Sequence, residues 1–314
     1  MNHGNEFPPP QRKYVVKVRD YFQLLRIHHW IKNLLIFIPL FFSVSFFDIS
    51  LVIGTIFGFI CLSLLSSIIY IFNDIRDIEK DRLHSTKCLR PLASGKIPVN
   101  HAFISITILS FFLIALLFLL RVSENRLYTF NAVLLLLLYL FLNIGYTLRL
   151  KNIPIVDVTI LASGYLVRVV FGAVIIGVDI SVWLYLVVTM GAFYLGLGKR
   201  RNEITGDEKG KRTVLRFYSH NFLDKNMYVC QALCLVFYSL WCIDSATIER
   251  FHTSAFVFTI PLVFTILLRY SLIIETDIEG DPIPVLLGDK CLLLLCGIYI
   301  LCVFFIIYFN RIVL

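Results

Sequence analysis

The chain has 314 residues, 58% of them hydrophobic, and a mean hydropathy of +0.82. Soluble domains sit at about 45–50% apolar residues, so a water-soluble globular fold is excluded and an integral membrane protein is predicted. The formal net charge of +8 at pH 7 falls largely in loops, where it sets topology and meets anionic headgroups, and it carries no nucleic-acid signature.

Taken in order, residues 1–19 read as a polar N-terminal tail containing Pro8-Pro9-Pro10, and residues 20–314 as one transmembrane domain. Tyr14 to Trp30 is an amphipathic stretch suited to the membrane interface, with Trp30 as anchor. Nine hydrophobic runs follow, at 31–47, 51–72, 103–120, 127–144, 154–177, 181–198, 227–243, 253–274 and 290–310. The expected fold is an all-α polytopic bundle of nine membrane helices. Basic residues gather in the N-terminal arm (Arg12, Lys13, Lys17, Arg19, Arg26, Lys32) and in the loops after the second, fourth and sixth runs, against Arg121, Arg126, Arg250 and Arg311 on the other side. The positive-inside rule then makes the N-terminus and the even-numbered loops cytoplasmic and the C-terminus external. The cysteines lie mostly inside apolar runs and read as packing residues.

The first polar island, Arg26-Ile-His-His-Trp-Ile-Lys32-Asn33, opens the first run. Such a basic and aromatic entry is commonly an interfacial belt. Alternatively, Lys32 and Asn33 reach a cytoplasmic cavity shared with the next island.

That second island, Asn73 to Gly95, follows directly on a membrane-length run. On a continuing helix Asn73, Asp77 and Asp81 fall at i, i+4 and i+8 on one face, with Asp74 about 100° round. Oxygen donors in this arrangement suit a hard divalent cation, Mg2+. Asn73 and Asp81 would lie about 12 Å apart along a straight helix, too far to share one ion bound at about 2 Å, so either two ions are held or the helix unwinds. Magnesium kept by one or two carboxylates completes its shell with water and substrate phosphate oxygens, which makes a phosphorylated substrate the first functional inference. Asp74, Asp77 and Asp81 are the candidate catalytic acids here, and Lys87 and Arg90 candidate substrate contacts.

Between the fourth and fifth runs, Tyr146 and Lys151 stand in a short turn, and Pro154 suits the first helical turn after it. Asp157 sits just inside the fifth run as a further candidate catalytic acid, and Arg168 lies about 16 Å deeper on the same face, too far for the two to pair. A charge within a span costs about 2.5–3.5 kcal/mol on insertion scales, so Arg168 either pairs with an acid on another span or faces a substrate cavity. After the sixth run comes Gly198-Lys199-Arg200-Arg201-Asn202-Glu203, and then Lys211-Arg212. Lys199, Arg200 and Arg212 are suited to bind phosphate directly, with Glu203 beside them. The loop after the eighth run is acidic, Glu275 to Asp281, and reads as solvated turn chemistry or as a lid over the cation site.

Asn73-Asp74-x-x-Asp77-x-x-x-Asp81 with Arg90-Pro91 and Gly95 resembles the first aspartate-rich motif of the UbiA prenyltransferase superfamily. The Arg-x-x-x-Trp-x-Lys-Asn entry is similar to a pattern in that superfamily. The sixth-run loop departs from its prenyltransferases by lacking a second Asp-x-x-x-Asp pair. The Gly198-Lys199-Arg200-x-x-Glu203 loop and the acidic Glu279-Gly280 segment look most like the decaprenyl-phosphate phosphoribosyltransferase branch. The resemblance implies a bundle with a cytoplasmic active-site cavity. It also implies Mg-dependent transfer of 5-phosphoribose from phosphoribosyl pyrophosphate to a polyprenyl phosphate, with release of pyrophosphate. Two readings compete with it: a prenyltransferase using a prenyl diphosphate donor and a small acceptor, and a membrane transporter, for which no internal repeat is found.

Overall fold

The structure is a computed structural model and describes residues 16–44, 46–84, 86–122, 126–205, 213–276 and 281–313. Among these residues all regular secondary structure is helical. An amphipathic helix α1 (Val18–Leu25) is followed by a 3-10 helix, Ile27–Phe37, that runs into α2 (Ile38–Phe42). Then come α3 (Ile49–Arg76), α4 (Ile78–Arg82), α5 (Val99–Val122), α6 (Arg126–Leu148), α7 (Val156–Ile176) and α8 (Val182–Thr205). After these stand α9 (His220–Ile243), α10 (Ser245–Phe251), α11 (Ile260–Thr276), α12 (Pro282–Gly288) and α13 (Lys290–Val313). Among the described residues eight helices are long and apolar enough to cross a membrane, or nine if the bent pair Val18–Leu25 and Ile27–Phe42 is one span.

The second to ninth hydrophobic runs are all helical, several with polar extensions: α3 continues to Arg76 and α8 to Thr205. The first run differs from expectation. Arg26 is left-handed (φ 51°), the chain bends by 45° there, and the next eleven residues are 3-10 rather than α. Pro39, in the first turn of α2, cannot donate to the carbonyl four residues back, and the change from 3-10 to α falls where that bond is missing.

The apolar contacts form several clusters. One, built on Ile36, Leu62, Leu65, Leu136, Tyr139 and Phe171, packs the 3-10 segment against α3, α6 and α7. Another, with Val158, Tyr194, Leu197, Leu223 and Ile274, joins α7, α8, α9 and α11. Gly172 is required for the first: a Cβ there would lie 2.1 Å from the Ile36 carbonyl oxygen, so α7 and the 3-10 segment touch backbone to backbone. By contrast α5 presents Phe103, Ile104, Phe111, Phe112 and Phe118 outward, as a helix facing lipid does. This packing brings the end of α3, the start of α7 and the end of α8 together at one polar end of the bundle.

Candidate active site

At that end α3 breaks. Asp77 (φ −96°, ψ 9°) closes α3 and opens α4, so the straight-helix face of Asn73, Asp77 and Asp81 does not form. Asp81 stands seven residues after Asp74, nearly two whole helical turns, and the two side chains converge. Both carboxylates accept from one nitrogen, Arg90 Nη1, at 2.6 Å for Asp81 and 3.2 Å for Asp74, and Arg26 Nη2 donates to Asp74 as well. Asp74 and Asp81 are buried. Asp77 points elsewhere and accepts from Lys151 Nζ at 2.7 and 3.1 Å. Asp74, rather than Asp77, therefore shares a cation with Asp81. Arg90 is held by the turn that follows it: Ser94 Oγ donates to its carbonyl, and Gly95 takes the left-handed conformation (φ 73°) that ends the turn. Lys87 is half-buried in the short 3-10 turn Lys87–Leu89. Partial burial together with the charges of Lys87 and Arg90 lowers the imidazole pKa of neighbouring His84, against the pull of Asp81.

A second constellation is sealed. Arg200 Nε donates to Asp157 at 2.6 Å, Nη2 to the Tyr146 hydroxyl at 2.9 Å and Nη1 to Glu203, while the Tyr218 hydroxyl donates to the other Asp157 oxygen. The side chains of Arg200 and Asp157 have no exposure at all. This corrects two expectations. Arg200 is spent on internal acceptors and does not present itself to a phosphate, and Asp157 is an interior counter-ion rather than an acid open to substrate. A buried charge persists only when its donors and acceptors are matched, and here both are.

Arg168 is buried deeper in α7. Nε donates to Asn33 Oδ1 and Nη2 to the Tyr139 hydroxyl, each at 2.8 Å, and Nη1 to the Gly164 carbonyl. Its guanidinium also lies over the rings of Tyr139 and Tyr165. Among the described residues no carboxylate pairs with it, so a partner acid on another span is replaced by neutral acceptors. Asn33, fully buried and donating to Ser63 Oγ at 3.0 Å, orients Arg168 instead of reaching an open cavity.

Lys32 and Lys199 converge on Asp281, the residue that caps α12. Lys32 Nζ is 3.0 Å from Asp281 Oδ1, and Lys199 Nζ is 3.4 Å from Oδ2. Burial would raise the Asp281 carboxyl, but Lys199 and Lys32 beside it, with hydrogen bonds from Lys32 and the Ile283 amide, hold it well below the usual carboxylate range. Sequence reasoning took Arg26 as part of the basic entry to the first run and Asp281 as part of an acidic turn or lid, and gave neither a partner. Asp281-Pro282 is a helix-start signal, yet nothing in it points to lysines 82 and 249 residues away. Arg212 and the Glu279-Gly280 segment lie outside the described residues.

The arrangement is a helix break lined with carboxylates, flanked by two groups of cations, on a membrane bundle. Residues 34–283 match the UbiA prenyltransferase family. The chain is 31% identical to decaprenyl-phosphate phosphoribosyltransferase of Corynebacterium glutamicum, an alignment covering 90% of this chain and 85% of that one. It is 30% identical to the uncharacterized protein y4nM of Sinorhizobium fredii over 90% of its own length, and spans about half (54%) of that longer protein. Its fold matches a UbiA homologue from Archaeoglobus fulgidus bound to GPP and Mg2+, with a TM-score of 0.68, 19% identity, and 92% of this chain and 99% of that chain covered. The chain belongs to the UbiA prenyltransferase family.

Proposed function

We propose that the protein transfers 5-phosphoribose from phosphoribosyl pyrophosphate to the phosphate of a polyprenyl lipid of the decaprenyl type, releasing pyrophosphate. The observation that carries this reading is the convergence of Asp74 and Asp81 on one cationic nitrogen at the Asp77 break, with Lys151, Lys32 and Lys199 at the same end of the bundle. The kinship with the C. glutamicum enzyme supports it.

The donor set suits magnesium. Asp74 and Asp81 already direct oxygens at a single positive centre, Arg90 Nη1. Among the described residues no three His, Cys, Asp or Glu side chains gather closely enough to enclose an ion. A site of one or two carboxylates that leaves room for water and diphosphate oxygens is the usual habit of magnesium. When bound, the ion supplies charge neutralisation for the departing pyrophosphate.

The chain's own residues do the rest. Arg90, Arg26 and Lys151, released from their carboxylates, donate to diphosphate oxygens as negative charge builds there. Lys32 and Lys199 hold a phosphate group across the cleft. The lipid phosphate is largely ionised near neutral pH and attacks C1 of the ribose without a strong base, in a single displacement that inverts the anomeric carbon. Asp157, Arg200, Glu203 and Tyr146 fix the ends of α6, α7 and α8 against one another, so that catalysis rests on positioning and electrostatics. The isoprenoid tail lies among apolar spans. By the positive-inside rule the basic arm and even-numbered loops support a cytoplasmic position for this end in the plasma membrane, with residues 20–314 as one transmembrane domain.

The test is a donor assay on protein in lipid with magnesium. Labelled phosphoribosyl pyrophosphate is offered with polyprenyl phosphate, and labelled geranyl diphosphate with aromatic acceptors. Label moving from the ribose donor into lipid is the expected result. Transfer from geranyl diphosphate alone, which the GPP-bound relative makes the specific rival, overturns the reading.

A further inference from the structure

Once the carboxylates at the helix break are accounted for, the Lys32, Lys199 and Asp281 cluster remains with a feature of its own. Two ammonium groups, one from the 3-10 segment and one from the end of α8, grip a single carboxylate by both oxygens: Lys32 Nζ at 3.0 and 3.1 Å, and Lys199 Nζ at 3.4 Å. The side chains are 13%, 26% and 18% exposed for Lys32, Lys199 and Asp281, so the cluster is neither sealed like Arg200 and Asp157 nor freely solvated. A carboxylate held this way presents the same edge as two oxygens of a phosphate. Its charge, however, is smaller. Two ammonium groups and one carboxylate leave a formal surplus of one positive charge, whereas a phosphate monoester dianion in place of the carboxylate brings the sum to zero. The carboxylate is also fixed independently of the lysines, because its Oδ1 accepts from the Ile283 amide at 3.3 Å as the cap of α12.

We infer that Lys32 and Lys199 form a subsite for a phosphate monoester and that Asp281 is its resident competitor, which an incoming phosphate must displace. This rests on the function proposed above and adds a specificity residue to it. Asp281 occupies the two lysines while the subsite holds no substrate, and it weakens binding by the cost of breaking its own ion pairs. The phosphate is the 5-phosphate of the sugar donor or the phosphate of the lipid, which share this chemistry.

The experiment is calorimetric titration of full-length protein in nanodiscs with ribose 5-phosphate in one arm and farnesyl phosphate in the other. Wild type is compared with Asp281→Asn, Asp281→Ser and the double variant Lys32→Gln/Lys199→Gln. Asn and Ser both keep a helix cap, so folding is preserved while the charge is removed. One arm is expected to tighten at least fivefold (about 1 kcal/mol) in both Asp281 variants and to weaken at least tenfold in the lysine variant. Adding Asp281→Asn to the lysine variant should then change nothing. The arm that responds identifies the source of the phosphate. Robust binding that Asp281→Asn and Asp281→Ser leave equal or weaker overturns the competitor while sparing the proposed function. Failure of both phosphates to bind any form, with geranyl diphosphate binding wild type, overturns the phosphoribosyl reading and this inference with it.

Discussion

Arg200 Nε lies 2.6 Å from Asp157 Oδ2 with neither side chain exposed, and this pair ties α7 to α8 at the polar end of the bundle. Removing one member leaves the other buried and uncompensated, which costs about 3–5 kcal/mol. Asp157→Asn is therefore expected to lower the melting temperature in detergent markedly, and Arg200→Lys to do nearly as much, because an ammonium cannot reach Asp157, Glu203 and Tyr146 together. Tyr146→Phe deletes a single hydrogen bond and should cost about 1 kcal/mol. A thermal unfolding series over the three variants checks the order.

Asp77 is only partly buried and stands at the break between α3 and α4. Its substitution should act on chemistry before stability. Asp77→Ala is expected to lower turnover by about 10²-fold or more while the protein still elutes as a folded species. Full activity in that variant would remove Asp77 and its Lys151 pair from the mechanism.

Two glycines separate a hard contact from a soft one. A methyl group at Gly172 would meet the backbone oxygen of Ile36, and one at Gly58 the flexible end of Ile175, each at 2.1 Å. Backbone cannot yield as a side chain can. Gly172→Ala should cost about 3 kcal/mol or more and Gly58→Ala about 1 kcal/mol, measurable as separate shifts in melting temperature.

The lowered pKa of Asp281 has a direction in pH. A carboxyl held below its unfolded value of about 3.9 contributes stability that is fully present above that value and is lost as pH falls through the folded one. Between pH 7 and 5 wild type and Asp281→Asn should run parallel. Below about pH 4 wild type should lose stability toward the variant. Melting curves from pH 7 to 3 test this, and a constant gap throughout would contradict it.

How far the sequence spoke depends on the range of each interaction. The spans were legible because burial in lipid demands uninterrupted apolar runs, and the aspartate island because polar residues stand out against them. The break at Asp77 was not, since Asp-Ile-Arg-Asp-Ile-Glu-Lys contains neither glycine nor proline. The pairing of Asp74 with Asp81 was within reach of the helix period, since seven residues make nearly two whole turns. Arg200 looked like a phosphate ligand because its acceptors, Asp157 and Tyr146, lie 43 and 54 residues away and no local pattern announces them. Arg168 was flagged by its burial cost alone, and its neutral partners, Asn33 and Tyr139, come from two other elements.

The 3-10 segment also changes the reach of the chain. Eleven residues at about 2.0 Å each, followed by the five of α2 at about 1.5 Å, extend about 30 Å, the thickness of a bilayer's hydrocarbon core. Wound throughout as an α-helix, the same residues would fall about 5.5 Å short and turn through about 220° less than in the 3-10 form. Lys32 and Asn33 would then leave Asp281 and Arg168.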